Sequence, residues 1–120
     1  MMPLDSIEDF TLLLFIHIAR VDGSLHPNEK DVILEELNRL FPRENYWQNR
    51  FAEMDAYYNK MGNAHGLSLL KDHLGNFYQV EFGIKARIHK ALYNIVNANG
   101  RVSEEEVDTL QVFKGWLTAL

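Results

Sequence analysis

A chain of 120 residues can bury roughly two thirds of its unfolded surface around one core, so no disulfide or metal staple is needed to hold it. It contains no cysteine, which excludes disulfides, thiolate zinc sites, cysteine nucleophiles and thiol redox chemistry, and makes a reducing cytoplasm the expected setting. A net charge of −5 with singly scattered basic residues excludes the positive stripe that nucleic acid demands.

The opening MMPLDSIED is acidic where a secretory signal is basic, so no export is expected. A first helix is predicted to start after Asp5 or Ser6 and to run to about Arg20, with Glu8 and Asp9 in the first turn, where the helix dipole favours carboxylates. It is apolar nearly all round (Phe10, Leu12, Leu13, Leu14, Phe15, Ile16, Ile18), the pattern of a helix at the centre of a bundle. The run from Phe10 to Ile18 is broken by Thr11 and His17 and falls far short of the ~20 residues that span a bilayer, so direct membrane insertion is not expected.

A second helix begins at Pro27, which suits the first helical position, and carries Ile33, Leu37 and Leu40 on one face until Phe41-Pro42 stops it. Lys30, Asp31, Glu35 and Glu36 are expected to face water. A third helix, from about Tyr46 to Met61, stacks Trp47, Phe51, Met54 and Tyr58, and Gly62 and Gly66 are expected to bracket the turn after it. A fourth, from about Leu67 to Phe77, aligns Leu67, Leu70, Leu74 and Phe77. A fifth, from about Val80 to Ala98, puts Ile84, Ile88, Leu92 and Ile95 on one face, and a sixth from Glu104 does the same with Leu110, Phe113 and Leu117. No stretch alternates long enough to form a strand pair, so the fold expected is all-α: a single-domain helical bundle of about six helices over residues 1–120.

Its two ends repeat. Asp22 matches Asn99, Gly23 matches Gly100, Leu25 matches Val102 and Glu29 matches Glu106, always 77 residues apart. At the same offset Ile7 falls on Ile84, Phe15 on Leu92, Ile18 on Ile95, Ile33 on Leu110 and Leu40 on Leu117. The pattern is that of two pseudo-symmetric helix-turn-helix halves, at about 6–40 and 83–118. Folding chemistry alone accounts for much of it. Asp or Asn before Gly ends a helix, because Gly enters the left-handed conformation without steric cost. Ser103 with Glu106 three residues on then makes a complete capping box, and His26 with Glu29 makes a poorer one.

The glutamates ask for more. Glu29 lies four residues before Ile33 and eight before Leu37, and Glu106 four before Leu110 and eleven before Leu117, so both project from core faces. A carboxylate there must be hydrogen-bonded, paired or coordinated, either by backbone amides of the turn or by a metal ion. Aligned on an EF-hand loop with its glycine sixth, Gly23 and Gly100 put Glu29 and Glu106 at the twelfth, bidentate position and Asp22 and Asn99 at the fifth. The leading aspartate of that loop is replaced by Ile18 and Ile95, and Arg20 stands where a third-position ligand belongs.

The stretch ARVDGSLHPNEKDVIL, with Ala19, Asp22, Gly23, Leu25 and Glu29, and its echo in Gly100, Val102 and Glu106, resembles the motif of the TerB-like (tellurite resistance protein TerB) family. The resemblance covers both ends of the chain, while the middle agrees only in being helical. It implies an all-α domain of two pseudo-symmetric halves, associated with resistance to tellurite and other stresses, with acidic motif residues suggested to bind metal and no established catalysis. On this chain those residues are Asp22, Glu29, Asn99 and Glu106; Asn99 departs from the family's second aspartate and weakens a symmetric two-metal site.

Elsewhere, His17 reads as a hydrogen-bonded core histidine, and His65, Asp72 and His73 as surface residues rather than a ligand set. Lys85, Arg87, His89 and Lys90 read as a solvated flank, Glu104 and Glu105 as first-turn residues, and Trp47, Tyr57 and Tyr58 as core. Trp116, beside Gly115 and off the Leu110, Phe113, Leu117 stripe, is expected as an exposed contact for another chain. No nucleophile with an adjacent base, phosphate-binding glycine loop or HExxH pair is present, so no catalytic residue is assigned. The function expected is a non-enzymatic stress-response or tellurite-resistance-type interaction module with an acidic site, whose partners are proteins, a second copy included. The alternative is a divalent-cation-binding protein that uses the two Asp/Asn-Gly…Glu turns. No cofactor beyond such a cation is implied.

Overall fold

In a computed structural model of the protein, residues 6–21, 25–43, 45–74, 82–98 and 102–119 are described. Six helices follow in order: α1 Ile7–Arg20, α2 Pro27–Leu40, α3 Trp47–Met61, α4 Asn63–His73, α5 Phe82–Val96 and α6 Glu104–Ala119. The described residues contain no strand, and the chain is the all-α bundle that its periodicity implies. None of these helices is long and apolar enough to cross a membrane.

The all-round apolar α1 is the hub and packs against each of the other five helices. Every residue from Phe10 to Ala19 is buried. Its start is fixed by Ser6, whose hydroxyl accepts the Asp9 amide at 3.1 Å, with Glu8 and Asp9 in the first turn. Thr11 is accommodated in this apolar stretch because its hydroxyl donates back to the Ile7 carbonyl at 2.7 Å.

Two arginine–carboxylate forks tie α1 to α3. Arg20 donates to both Asp55 oxygens at 2.6 and 2.9 Å, and Arg50 to both Asp9 oxygens at 2.9 and 2.8 Å. The hydrogen bonds to Asp55 and Asp9 raise the already high pKa of each guanidinium. Trp47 closes the link between α2 and α3 by donating its indole N–H to the Phe41 carbonyl at 2.9 Å, while Phe51, Met54 and Tyr58 follow it into the core.

The middle of the molecule differs from its sequence reading. α4 starts at Asn63, four residues earlier than expected, because Gly62 alone makes the turn at a positive φ of 84°. Gly66 belongs to the helix and not to the turn. It is buried against the Tyr58 ring, where an added Cβ would stand 2.6 Å from the ring's Cε2. The buried face of α4 is therefore Gly66 and Leu70, while Leu67 is partly exposed. Phe77 lies outside the described residues.

Two residues expected at the surface are inside. Glu36 is buried, held by Arg39 at 2.8 Å and by the Asn94 side-chain amide of α5 at 3.1 Å. Lys85 is buried too, which its long aliphatic stem makes feasible. Trp116 is half-buried against the core with its ring 5.1 Å from that of Phe113, not an exposed contact.

Candidate functional site

The two repeated turns lead into helices that begin at matching points, α2 at Pro27 and α6 at Glu104, behind His26 and Ser103. Glu29 and Glu106 are each the third residue of their helix, a position from which a side chain can fold back over the helix start. Both do so: Glu29 Oε1 accepts the His26 amide at 3.1 Å, and Glu106 Oε1 accepts the Ser103 amide at 3.0 Å. The second box is completed by Ser103 Oγ, which accepts the Glu106 amide at 3.1 Å. Its first turn also holds Glu104 and Glu105, both exposed, in the place the helix dipole favours.

Folding back draws both carboxylates into the interior, where Glu29 is 0 % and Glu106 1 % exposed. This is the inward orientation that the spacing to Ile33, Leu37, Leu110 and Leu117 implies. Glu106 Oε2 is buried and has no hydrogen-bond partner among the described residues. A buried carboxylate oxygen in that position calls for a donor or a cation. Asp22 and Asn99, with Gly23 and Gly100, lie outside the described residues, so of the four predicted site residues the structure describes Glu29 and Glu106.

Among the described residues, no group of three or more His, Asp or Glu side chains gathers as a metal site. Fit to a cation therefore rests on the orphaned Glu106 oxygen and on the donor types of the turns, carboxylate and amide oxygens that suit hard divalent ions. Among the described residues α2 and α6 share no extensive interface, so packing offers no support for acid–base chemistry by a Glu29–Glu106 pair.

The other candidates separate cleanly. His65 and Asp72 are exposed, and His73 is half-buried with Nδ1 donating to the Leu69 carbonyl at 3.0 Å. His17 is buried in the core as expected, with Nδ1 2.8 Å from the Tyr58 hydroxyl. Burial without a charged partner lowers its pKa to about 4, so the ring is neutral at physiological pH. Burial also pushes the Tyr58 phenol above its ordinary value.

The polar residues that sequence reading missed are Glu36 and Asn94, joined across α2 and α5. Asn94 lies 77 residues after His17, so each repeat holds one polar side chain at the same point of its first helix, a signal legible in the alignment of the halves. No family model, curated protein or solved structure matches the chain.

Proposed function

We propose that the chain is a non-enzymatic, cytoplasmic TerB-like interaction module of the tellurite-resistance and stress-response type, acting on protein partners through its acidic turns at Asp22, Glu29, Asn99 and Glu106. The observation that carries this reading is the paired use of Glu29 and Glu106: two buried carboxylates at the third position of helices that start 77 residues apart. A cap needs only one oxygen of each, and an exposed glutamate serves it as well. Burial of both, at a cost, favours a role beyond capping.

Tellurite tolerance of the source cell tests it. Deletion is expected to lower tolerance, and the wild-type chain to restore it where a Glu29→Gln/Glu106→Gln double variant of equal abundance does not. Unchanged tolerance on deletion, or full rescue by the double variant, contradicts the reading.

A second reading, in which the turns hold a divalent cation, is favoured by one observation, the buried Glu106 Oε2 without a donor among the described residues. Glu106 and Asn99 would hold the ion in one turn, Glu29 and Asp22 in the other, and the ion would bind the turn to the helix it precedes. Equilibrium dialysis of metal-stripped protein against Ca²⁺, Mg²⁺, Mn²⁺ or Zn²⁺ measures this directly. Retention of one of them above the buffer level supports it, and retention of none removes it.

A further inference from the structure

The gap between α4 and α6 is a cavity of about 230 Å³ with His17 of α1 in its lining. Ala64 and Leu67 come from α4, and Thr109 and Val112 from α6, so most of the wall is apolar. Leu67 and Val112 are 37 % and 46 % exposed, high for large apolar side chains and a result of their facing this opening.

The hydrogen bonds behind the cavity fix the state of the imidazole. The Asn63 amide nitrogen donates to the Val21 carbonyl at 3.3 Å, which turns its Oδ1 towards Tyr58. The Tyr58 hydroxyl has one hydrogen and gives it to that oxygen at 2.6 Å. The 2.8 Å contact between Tyr58 and His17 Nδ1 must then be donated by the imidazole. A neutral ring that donates from Nδ1 carries its acceptor lone pair on Nε2, and the ring lines the cavity. His17 is only 2 % exposed, and its ring is held in place by Tyr58, Asn63 and Val21.

We propose that this cavity binds a small aromatic molecule carrying one neutral O–H or N–H donor, of the phenol or indole class, with the donor on His17 Nε2 and the ring between Leu67 and Val112. The volume suits a single substituted ring, since a cavity of roughly 150 Å³ already holds benzene. The charged group of the lining is Asp108, so the site offers acceptors and no cation, which disfavours carboxylates and phosphates. The polar Asn63 and Asp108 in the lining limit the apolar area, which fits a free ligand better than a broad protein interface.

Amide and imidazole NMR of the full chain, titrated to millimolar phenol, indole or toluene, tests this. Phenol and indole should shift the resonances of Leu67, Val112 and His17 Nε2 and bind about five times more tightly than toluene, the contrast one hydrogen bond supplies. Val112→Arg, at an exposed position, should abolish binding of all three while the protein stays folded, and His17→Phe should remove the preference for the donors. Should His17→Phe fail to fold, the Nε2 shift and the toluene contrast still decide. No shift with any of the three, equal affinity for toluene, or binding unaffected by Val112→Arg overturns the proposal. A cavity that accepts only a partner's side chain would give the first of these results.

Discussion

The two repeated hairpins share a pattern but are stabilised differently. In the first, Ile33 and Leu37 are wholly buried, Leu25 is half-buried beside the core, and the reciprocal capping box with Glu29 uses His26, a residue type outside the preferred Ser, Thr, Asp and Asn. In the second, Leu110 is half-buried, Leu117 is 8 % exposed and Val102 is 44 % exposed, while Ser103 and Glu106 form a full reciprocal cap. Deeper burial of its second helix secures the first copy, and a stronger serine cap secures the start of the second. One motif can thus be kept by either of two energetic routes, and a residue's importance does not transfer between copies.

The contrast is broken most directly by core truncation. Leu37→Ala should cost about 4 kcal/mol and Leu117→Ala about 2 kcal/mol, measured by urea unfolding. Equal losses would show that the two hairpins are equally packed.

Acid should separate the copies next. His17 sits in the first repeat where Asn94, which does not titrate, sits in the second. The folded pKa of about 4 lies below the ordinary 6.5, so the unfolded chain takes up the proton first. Stability is fully present above pH 6.5 and falls as pH drops towards 4, by roughly 3 kcal/mol from this group. His17→Asn, which makes the two helices alike, should flatten that part of the pH–stability curve; an unchanged slope would contradict the assignment.

Gly66→Ala should cost about 2 kcal/mol, because Tyr58 is pinned by His17 and Asn63 and cannot yield to the new methyl. No loss in a thermal melt would mean that the ring is free to move. The smallest contrast is at the caps: Ser103→Ala should lower stability by about 1 kcal/mol and His26→Ala by only a few tenths. Similar values would remove the distinction between the two starts.

Much of the fold was legible because period and punctuation agree. Ser6, Pro27, Phe41-Pro42 and Ser103 each mark a helix end by local chemistry, and the helix bounds follow them. The start of α4 is not legible because Gly66 looks like a turn residue, when the close approach of Tyr58 is what requires it. Glu36 and Lys85 were read as surface because charge usually faces water, and partners such as Asn94, 58 positions from Glu36, cannot be seen from one helix. The inward glutamates were legible from spacing alone, since a residue four or eight positions from a core leucine shares its face. The His17 cavity was not, because it depends on α4 and α6 each packing on α1 with a gap between them.

The central claim is that the inward glutamates serve a site as well as a cap, and where that site holds a cation, thermal unfolding of metal-stripped protein with one added cation at a time tests it most directly. For wild type, at least one of Ca²⁺, Mg²⁺, Mn²⁺ or Zn²⁺ at 100 times its dissociation constant should add ~2.7 kcal/mol. Glu106→Gln keeps an oxygen for the Ser103 amide and should melt like wild type without metal, yet lose the response. No rise with any of the four cations, or an equal rise in Glu106→Gln, would contradict the claim that the site holds a cation.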